Sequence, residues 1–412
     1  MGAAEATSAA DATSAAGPDA TAGQRADDAR RAEALDRLGL LGTGPEERFD
    51  RITRLASQEF GIDIALVNLV GEDSLWAKSQ PVGVQFGTTP FGVAFCEHTV
   101  RGTGLLEIPD AAADPRWSHL PAVTEHGMRF YAGVPLRVSS GEAVGTLCLY
   151  GTEPRTLDDD ERALLGRLGR WAQAELRTDD PAAQESPVAP VDAPAPAPSP
   201  VEDRREAQVS TLAIPFGAVS GDASAWTQDD RTLVVSLVDV MGKGEAAGAI
   251  AGRVVDELQA LGPVPPAEAL ARVESSVGES LRDGDTFTTV FHAVLDLEAG
   301  VLDYVDAGHG LTVHLAADGR GTRLYSRNLP LGLMSDGAEW EVGRLEVSRG
   351  DVVMSVSDGA LDAYDSTLDS LRRLGEELLA SRDTSAFFDA LAGRVRDQAV
   401  DDDVTALVIA LG

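Results

Sequence analysis

The stretch LVVSLVDVMGKGEAAGAIA, residues 233–251, decides the fold of the second half of the chain. Its first eight residues form an apolar run that predicts a buried β-strand. The run ends with Asp239 and Val240, two glycines then predict a turn, and a helical pattern begins at Glu245. The stretch therefore predicts a carboxylate at the end of a buried strand, on the rim of a sheet.

Five further apolar runs predict strands in this half of the chain, at residues 288–297, 301–308, 311–317, 351–359 and 403–411. Helical patterns cover residues 245–261, residues 267–281 and much of residues 368–398. Because strands and helices come in groups, we predict an α+β fold in which helices pack on largely antiparallel sheets.

Acidic clusters lie at the ends of these strand runs, or just beyond them: Asp222, Asp239, Asp358 and residues 401–403. Carboxylates from different strand ends can converge, and their mutual repulsion then requires a cation. Oxygen ligands without Cys and with few His select magnesium, manganese or calcium, and a pair of such ions suits the hydrolysis of a phosphate ester. Each of these Asp residues, taken alone, is more simply explained as a turn residue.

The order of these motifs resembles the SpoIIE-type branch of the PPM protein phosphatases, from about residue 208 to residue 412. The motifs that carry the resemblance are GAVSGDASAW, LVVSLVDVMGKGEAAGAIA, TFTTVFHAVLDLEAGVLDYVDAGHG, NLPLGL, RGDVVMSVSDGALDA and DDDVTALVIAL. The resemblance implies an αββα sandwich of two antiparallel sheets, with two Mn²⁺ or Mg²⁺ ions at one end. It also implies direct attack on phosphoserine or phosphothreonine by water that the metals activate, without a covalent phosphoenzyme.

The resemblance also implies roles for single residues. Asp239 would bridge the two metals, the backbone carbonyl of Val240 would bind one of them, and Asp222 would bind directly or through water. Asp358 and Asp402 would bind the other ion. The register of the last motif leaves Asp403 as an alternative to Asp402, and we favour Asp402.

Two departures from the family pattern affect the chemistry. A second Asp close behind Asp222 is absent, since Ala223, Ser224, Ala225 and Trp226 follow, so metal affinity is expected to be reduced. Lys243 stands where many relatives carry His; it would attract phosphate but donate a proton poorly at neutral pH. The expected catalytic residues are thus Asp222, Asp239 and Lys243, with no general acid assigned. His309 is expected to pack or to order a loop.

The first half of the chain predicts an antiparallel sheet between two helices. Strand patterns lie at residues 64–70, 105–110, 130–138 and 143–151, and helical patterns lie at residues 46–61 and 157–176. Residues from about 31 to 177 resemble a GAF domain, on the motifs RITRLASQEFGIDIALVNLVGED, PFGVAFCEHTV, EIPDAAADPRW, RFYAGVPLR and GTLCLYGTEPRTLDDDE. The resemblance implies a six-stranded sheet that binds a small-molecule effector, here unidentified, and a homodimer contact through the closing helix.

Cys96 and His98 are close enough in sequence to suggest a metal or haem ligand pair. No other Cys or His cluster accompanies them, so we favour a structural role. Trp76, Trp117, Phe130 and Tyr131 are residues that could line a pocket, but in a small domain they are more often core.

Composition sets the domain boundaries. Residues 1–28 lack large apolar groups and predict a disordered tail, and the stretch 181–200 carries seven prolines and predicts an extended spacer. We therefore expect a GAF domain at 29–178, a Pro/Ala-rich linker at 179–204 and a phosphatase domain at 205–412.

Charge and composition exclude several partners. A formal net charge of −33 would repel nucleic acid and anionic membranes. Only two cysteines occur and no run of 18 apolar residues is present, so we expect a cytoplasmic protein that neither spans nor binds a membrane.

The function expected from all of this is a metal-dependent protein serine/threonine phosphatase that is controlled by its GAF domain. The resemblance suggests a phosphorylated anti-sigma-factor antagonist as substrate. The alternative is a catalytically weak pseudophosphatase that binds phosphoproteins under GAF control. A cyclic-nucleotide hydrolase or a nucleic-acid regulator is less consistent with the sequence, which lacks His-rich metal motifs and a basic face.

Overall fold

A computed structural model of the protein describes residues 22–80, 87–178, 207–242, 244–284, 286–334, 337 and 339–412. The predicted linker and residues 1–21 of the predicted tail lie outside the described residues, and residues 22–28 belong to a helix. The chain divides into two compact units. The first combines Met1–Gly44 with Phe60–Ala183, and the second combines Pro45–Glu59 with Gln184–Gly412.

The first unit is built on a six-stranded antiparallel sheet with the order β3-β2-β1-β6-β5-β4. Its strands are β1 (Ile64–Val70), β2 (Ser74–Ser79), β3 (Thr88–Pro90), β4 (Leu106–Ile108), β5 (Phe130–Arg137) and β6 (Ala143–Gly151). The helices of the first half of the chain are α1 (Ala22–Leu38), α2 (Glu47–Phe60), α3 (Cys96–Thr99), α4 (Pro121–Thr124) and α5 (Asp159–Thr178). All of α2 except Phe60 belongs to the second unit.

Strand alternation gives the sheet of the first unit two apolar faces. Leu66 on β1 and Cys148 and Tyr150 on β6 belong to one core cluster with residues of α3 and the nearby loops. Their chain neighbours Leu147 and Leu149 are also buried and point to the opposite side of the sheet. Helices α1 and α5 pack on the central strands. The predicted antiparallel sheet with flanking helices is confirmed.

The second unit contains two five-stranded antiparallel sheets, with the orders β14-β11-β10-β9-β8 and β13-β12-β15-β16-β7. Their strands are β7 (Ala207–Ile214), β8 (Asp222–Gln228), β9 (Thr232–Val240), β10 (Thr288–Asp296), β11 (Val301–Ala307), β12 (Thr312–Leu315), β13 (Gly321–Leu324), β14 (Gly343–Glu346), β15 (Val352–Val356) and β16 (Val404–Leu411). The helices are α6 (Glu245–Leu261), α7 (Pro266–Asp283), α8 (Gly359–Asp362), α9 (Leu368–Ala380) and α10 (Thr384–Gln398). None of the helices in the described part of the chain combines the length and apolarity that a membrane span requires.

Strand β16 shows how the layers of the second unit pack. Leu407 and Ile409 belong to a core cluster with Leu233 and Phe291 of the other sheet, so this side of β16 faces the partner sheet. The alternate residues of β16, such as Val408, belong instead to a cluster with side chains of α9 and α10. Helices α6 and α7 pack on the first sheet. The order of layers is therefore helix, sheet, sheet, helix, as the αββα prediction requires.

A buried histidine makes the second unit sensitive to acid. His292 on β10 is fully buried, and its Nδ1 lies 2.9 Å from the Ser236 hydroxyl on β9. Burial lowers the pKa of His292 from 6.5 to about 4. Because the unfolded chain binds this proton more readily than the folded chain does, His292 contributes stability above pH 6.5 that is lost as the pH falls toward 4.

We therefore expect the unfolding free energy of the wild type to fall between pH 6.5 and 4.5 by about 2 kcal/mol more than that of His292→Gln. Urea unfolding of the full chain at several pH values, followed by circular dichroism, measures this difference. Parallel pH profiles for the two proteins would contradict the assignment.

Candidate metal centre

Two of the predicted ligands lie opposite each other on neighbouring strands. Strand β8 begins at Asp222, β9 ends one residue after Asp239, and the antiparallel register pairs these two residues directly. Directly opposed residues place their Cβ atoms about 5 Å apart on one face of the sheet. The hairpin thus brings two carboxylates to the same edge of the first sheet.

The Asp222 carboxylate is buried beside other carboxylates. Oδ2 of Asp222 is buried and has no hydrogen-bond partner among the described residues. Burial, and then the charge of Asp239, raise the pKa of Asp222 well above its usual range. The charges of Asp403 and Asp358 act in the same direction, whereas the Ser357 hydroxyl opposes it. The four carboxylates therefore share one region, and a cation placed there would relieve their repulsion.

Gly221 brings the Val240 backbone close to this pair. The Val240 N–H donates to the Gly221 carbonyl at 3.1 Å. A Cβ at position 221 would lie 2.9 Å from the Gly242 carbonyl oxygen and 3.2 Å from the Val240 carbonyl oxygen. Only glycine allows this approach, so the predicted carbonyl ligand and the turn before Asp222 are packed together.

Asp403 holds the loop that leads into β8. Its Oδ1 accepts a hydrogen bond from the Phe216 N–H at 2.8 Å, and its Oδ2 accepts one from the Gly221 N–H at 2.7 Å. The side chain is nearly buried. The bond to Gly221 joins the residue before β8, in the first sheet, to the start of β16, in the second sheet. From the sequence Asp403 is predicted only as an alternative ligand, and its role in holding this loop leaves no local pattern.

Asp358 and Asp402 lie beside each other at the ends of β15 and β16. Asp358 directly precedes α8. A Cβ on the next residue, Gly359, would lie 2.2 Å from the Asp403 carbonyl oxygen and 3.3 Å from Cβ of Asp402, so the two turns are in close contact. Oδ1 of Asp402 accepts a hydrogen bond from the Asp403 N–H at 2.9 Å. Oδ2 of Asp358 pairs with Nη2 of Arg51 on α2 at 3.0 Å.

The oxygen donors fit a hard divalent cation, although they do not surround one. The buried, unpartnered oxygen of Asp222 and the absence of sulfur ligands suit Mg²⁺ or Mn²⁺. Within the described ranges, however, no group of three or more His, Cys, Asp or Glu side chains could hold a metal ion as it stands.

Two predicted residues of the second unit remain, Lys243 and His309. Lys243 lies outside the described residues. His309 is fully buried, and its Nε2 lies 3.0 Å from the Ser355 hydroxyl. Burial lowers the pKa of His309 to about 3, which keeps the ring neutral. A neutral, buried ring supports the packing role expected for His309.

The side chains of Cys96 and His98 in the first unit contact different residues. The Cys96 sulfur lies 3.3 Å from the Asn68 side-chain nitrogen and 3.2 Å from the Tyr150 hydroxyl. The His98 ring packs edge-on against Trp117, with ring centroids 4.8 Å apart. These contacts support the structural interpretation of the CEH motif. Of the four aromatic residues considered for a pocket, Trp117, Phe130 and Tyr131 are buried and Trp76 is half-buried.

Sequence comparison assigns each half of the chain to a known family. Residues 44–176 match the GAF domain family, and residues 229–412 match the family described as stage II sporulation protein E (SpoIIE). The chain is 35% identical over 146 residues, 35% of its length, to a cyclic di-GMP phosphodiesterase of Pseudomonas aeruginosa. It is 23% identical over 212 residues, 49% of its length, to the phosphoserine phosphatase RsbU of Bacillus subtilis. The chain spans 25% of the first relative and 62% of the second.

Among solved structures, the chain is similar to the PP2C phosphatase domain of SpoIIE from Bacillus subtilis, solved with a fragment of its regulatory domain. The TM-score is 0.45 at 18% identity, with 50% of this chain and 64% of that chain covered. The family matches confirm the two resemblances that the motifs suggested. Residues 44–176 thus match the GAF domain family and residues 229–412 match the SpoIIE family, in the order that the motifs predict.

Proposed function

We propose that the second unit is a metal-dependent phosphatase that hydrolyses phosphoserine or phosphothreonine in a protein substrate. The observation that carries the proposal is the direct pairing of Asp222 with Asp239 across β8 and β9. Asp239 lies inside the SpoIIE-family match, and Asp222 lies seven residues before its start. Asp222, Asp239, Asp358, Asp402 and the Val240 carbonyl are the proposed ligands of two Mn²⁺ or Mg²⁺ ions. The name of the RsbU relative supports phosphoserine as the substrate group.

The bound metals would supply an activated water and positive charge for the phosphoryl oxygens. The chain's own contribution is to hold the ligands in place. The Thr288 hydroxyl donates to the Asp239 carbonyl at 2.8 Å, and the Thr289 hydroxyl donates to Oδ2 of Asp239 at 3.5 Å. Asp403 fixes the backbone before Asp222. Because Asp403 already uses both oxygens on backbone N–H groups, Asp402 is the better candidate for the ligand in this motif.

The family resemblance supports a proposal for the natural substrate and for the control of the enzyme. We propose a phosphorylated anti-sigma-factor antagonist as the substrate and a small-molecule effector for the GAF domain. Dimerisation through the first unit stays a prediction, and light scattering of the full chain is its test.

A second candidate is a pseudophosphatase that binds a phosphoprotein without turnover. Two observations favour it. In the described residues no three ligating side chains are gathered around a metal position, and Asp358 is paired with Arg51.

Phosphate release from a phosphoserine peptide, measured with the full chain at increasing Mn²⁺, tests the proposed function. We expect activity that EDTA abolishes and that added Mn²⁺ restores. A rise in melting temperature on addition of the phosphoserine peptide, without phosphate release, would favour the pseudophosphatase. The absence of both phosphate release and a peptide-dependent thermal shift would reject both candidates.

A further inference from the structure

Helix α2, which belongs to the second unit except for Phe60, lies close to the candidate metal centre. The Glu47 N–H donates to the Ser366 carbonyl at 2.9 Å, just beyond α8. The Glu47 carboxylate pairs with Arg323 at 3.2 Å, and one turn later Arg51 pairs with Asp358 at 3.0 Å. The side chains of Glu47 and Arg51 are 2% and 6% exposed, so both are buried, whereas Asp358 is 24% exposed.

The contact with Asp358 places a fixed positive charge beside a proposed metal ligand. A guanidinium group does not lose its proton in proteins, so Arg51 cannot relieve a repulsion by deprotonation. The charge of Arg51 also reaches His309, whose pKa it lowers. A divalent ion on Asp358 would face this cation at close range in a partly desolvated setting, where like charges repel strongly.

The position of the helix does not depend on Arg51 alone. Glu47 also accepts a hydrogen bond from Arg54 on the same helix. Through its pair with Arg323, Glu47 gives α2 a second contact near the centre. Through its bond to Arg54, Glu47 orders the first two turns of the helix. This second attachment allows α2 to hold Arg51 against Asp358.

We propose that Arg51 is an internal counter-ion that occupies Asp358 in place of a metal ion, so that the docked helix and metal binding at Asp358 exclude each other. This inference rests on the proposed function and adds its regulation. Withdrawal of Arg51 would free Asp358 for the second ion. Only three residues separate the end of α2 from β1 of the GAF sheet. A conformational change in that sheet is therefore linked to the helix that carries Arg51 by a short stretch of chain.

Manganese binding to the full chain, measured by calorimetry and by electron paramagnetic resonance of free Mn²⁺, tests the inference without relying on activity. We expect Arg51→Gln to bind the weaker of two ions at least about tenfold more tightly than the wild type, which corresponds to about 1.4 kcal/mol. Arg51→Lys, which keeps the charge, should stay close to the wild type. Arg54→Gln is the matched control, because Arg54 lies on the same helix and its bond is to Glu47.

Hydrogen exchange supplies a second readout. Mn²⁺ should increase amide exchange in α2 of the wild type, because the ion displaces Arg51, and should change it less in Arg51→Gln. Equal or weaker binding of the second ion by Arg51→Gln, with α2 still protected, would overturn the inference. Tight binding by the variant without any phosphate release would instead reject the proposed function and leave the competition intact.

Discussion

Asp239→Asn is expected to lower Mn²⁺-dependent phosphate release by roughly three orders of magnitude or more, equivalent to about 4 kcal/mol of transition-state stabilisation. The same change should raise the melting temperature of the metal-free protein. The variant removes one charge of the Asp222–Asp239 pair, so Asp222 no longer faces a buried like charge. A gain of about 1 kcal/mol would shift the melting temperature by roughly 2–4 °C.

Calorimetric melting with and without Mn²⁺, together with phosphate release, measures both effects. Asp229→Asn is the matched control, because Asp229 lies at the opposite end of the same hairpin and accepts hydrogen bonds from the Arg231 and Thr232 N–H groups. It should leave activity and the response to Mn²⁺ unchanged. More than a tenth of wild-type activity in Asp239→Asn would exclude Asp239 as a bridging ligand.

Asp403→Asn is expected to destabilise the second unit by about 2–4 kcal/mol. Its carboxylate accepts two backbone N–H groups, from Phe216 and Gly221, in a buried position. The amide can accept at one site only and presents an N–H₂ group to the other donor, so one buried N–H loses its partner. Because that loop leads directly to Asp222, Mn²⁺ affinity should fall together with stability.

Comparison with the two neighbouring acids separates ligand loss from loop disorder. Asp402→Asn should abolish activity and leave the metal-free melting temperature equal to or above that of the wild type. The exposed Asp401→Asn should have little effect on either quantity. Urea unfolding and Mn²⁺ calorimetry of the three variants distinguish loss of a ligand from loss of loop order. Normal stability of Asp403→Asn with complete loss of metal binding would instead make Asp403 the ligand.

Most inner strands could be predicted from sequence and most edge strands could not. The exceptions are the edge strand β4, which lies within predicted strand 105–110, and the inner strand β2, which was not predicted. Predicted strand 64–70 agrees with β1, and predicted strand 143–151 agrees with β6, because both are buried on two faces and read as continuous apolar runs. Strands β7 and β8 lie at the edges of their sheets and are at most half-buried along most of their length. Polar residues interrupt the apolar ones in both strands, so neither forms a continuous apolar run that would predict a strand. Only the structure shows how these two strands pair.

The acids at the strand ends could be predicted for the same reason, since Asp239 and Asp358 directly follow or end apolar runs. Arg51 and Asp403 were missed as partners of the site. Arg51 lies on an amphipathic helix, where a charged residue ordinarily indicates a solvated face. Its contact with Asp358 spans 307 residues of sequence and leaves no local pattern. The role of Asp403 likewise depends on where a distant loop places its N–H groups.

Helix α2 is made long before the strands and helices that complete the second unit. Its side chains Phe49 and Ile52 are fully buried in the finished fold, yet β16 leaves the ribosome only after roughly 350 further residues. At about 5–20 residues per second, that interval lasts on the order of tens of seconds. Because Arg323 and Asp358 are also made late, the contacts of Glu47 and Arg51 with these residues form only near the end of translation.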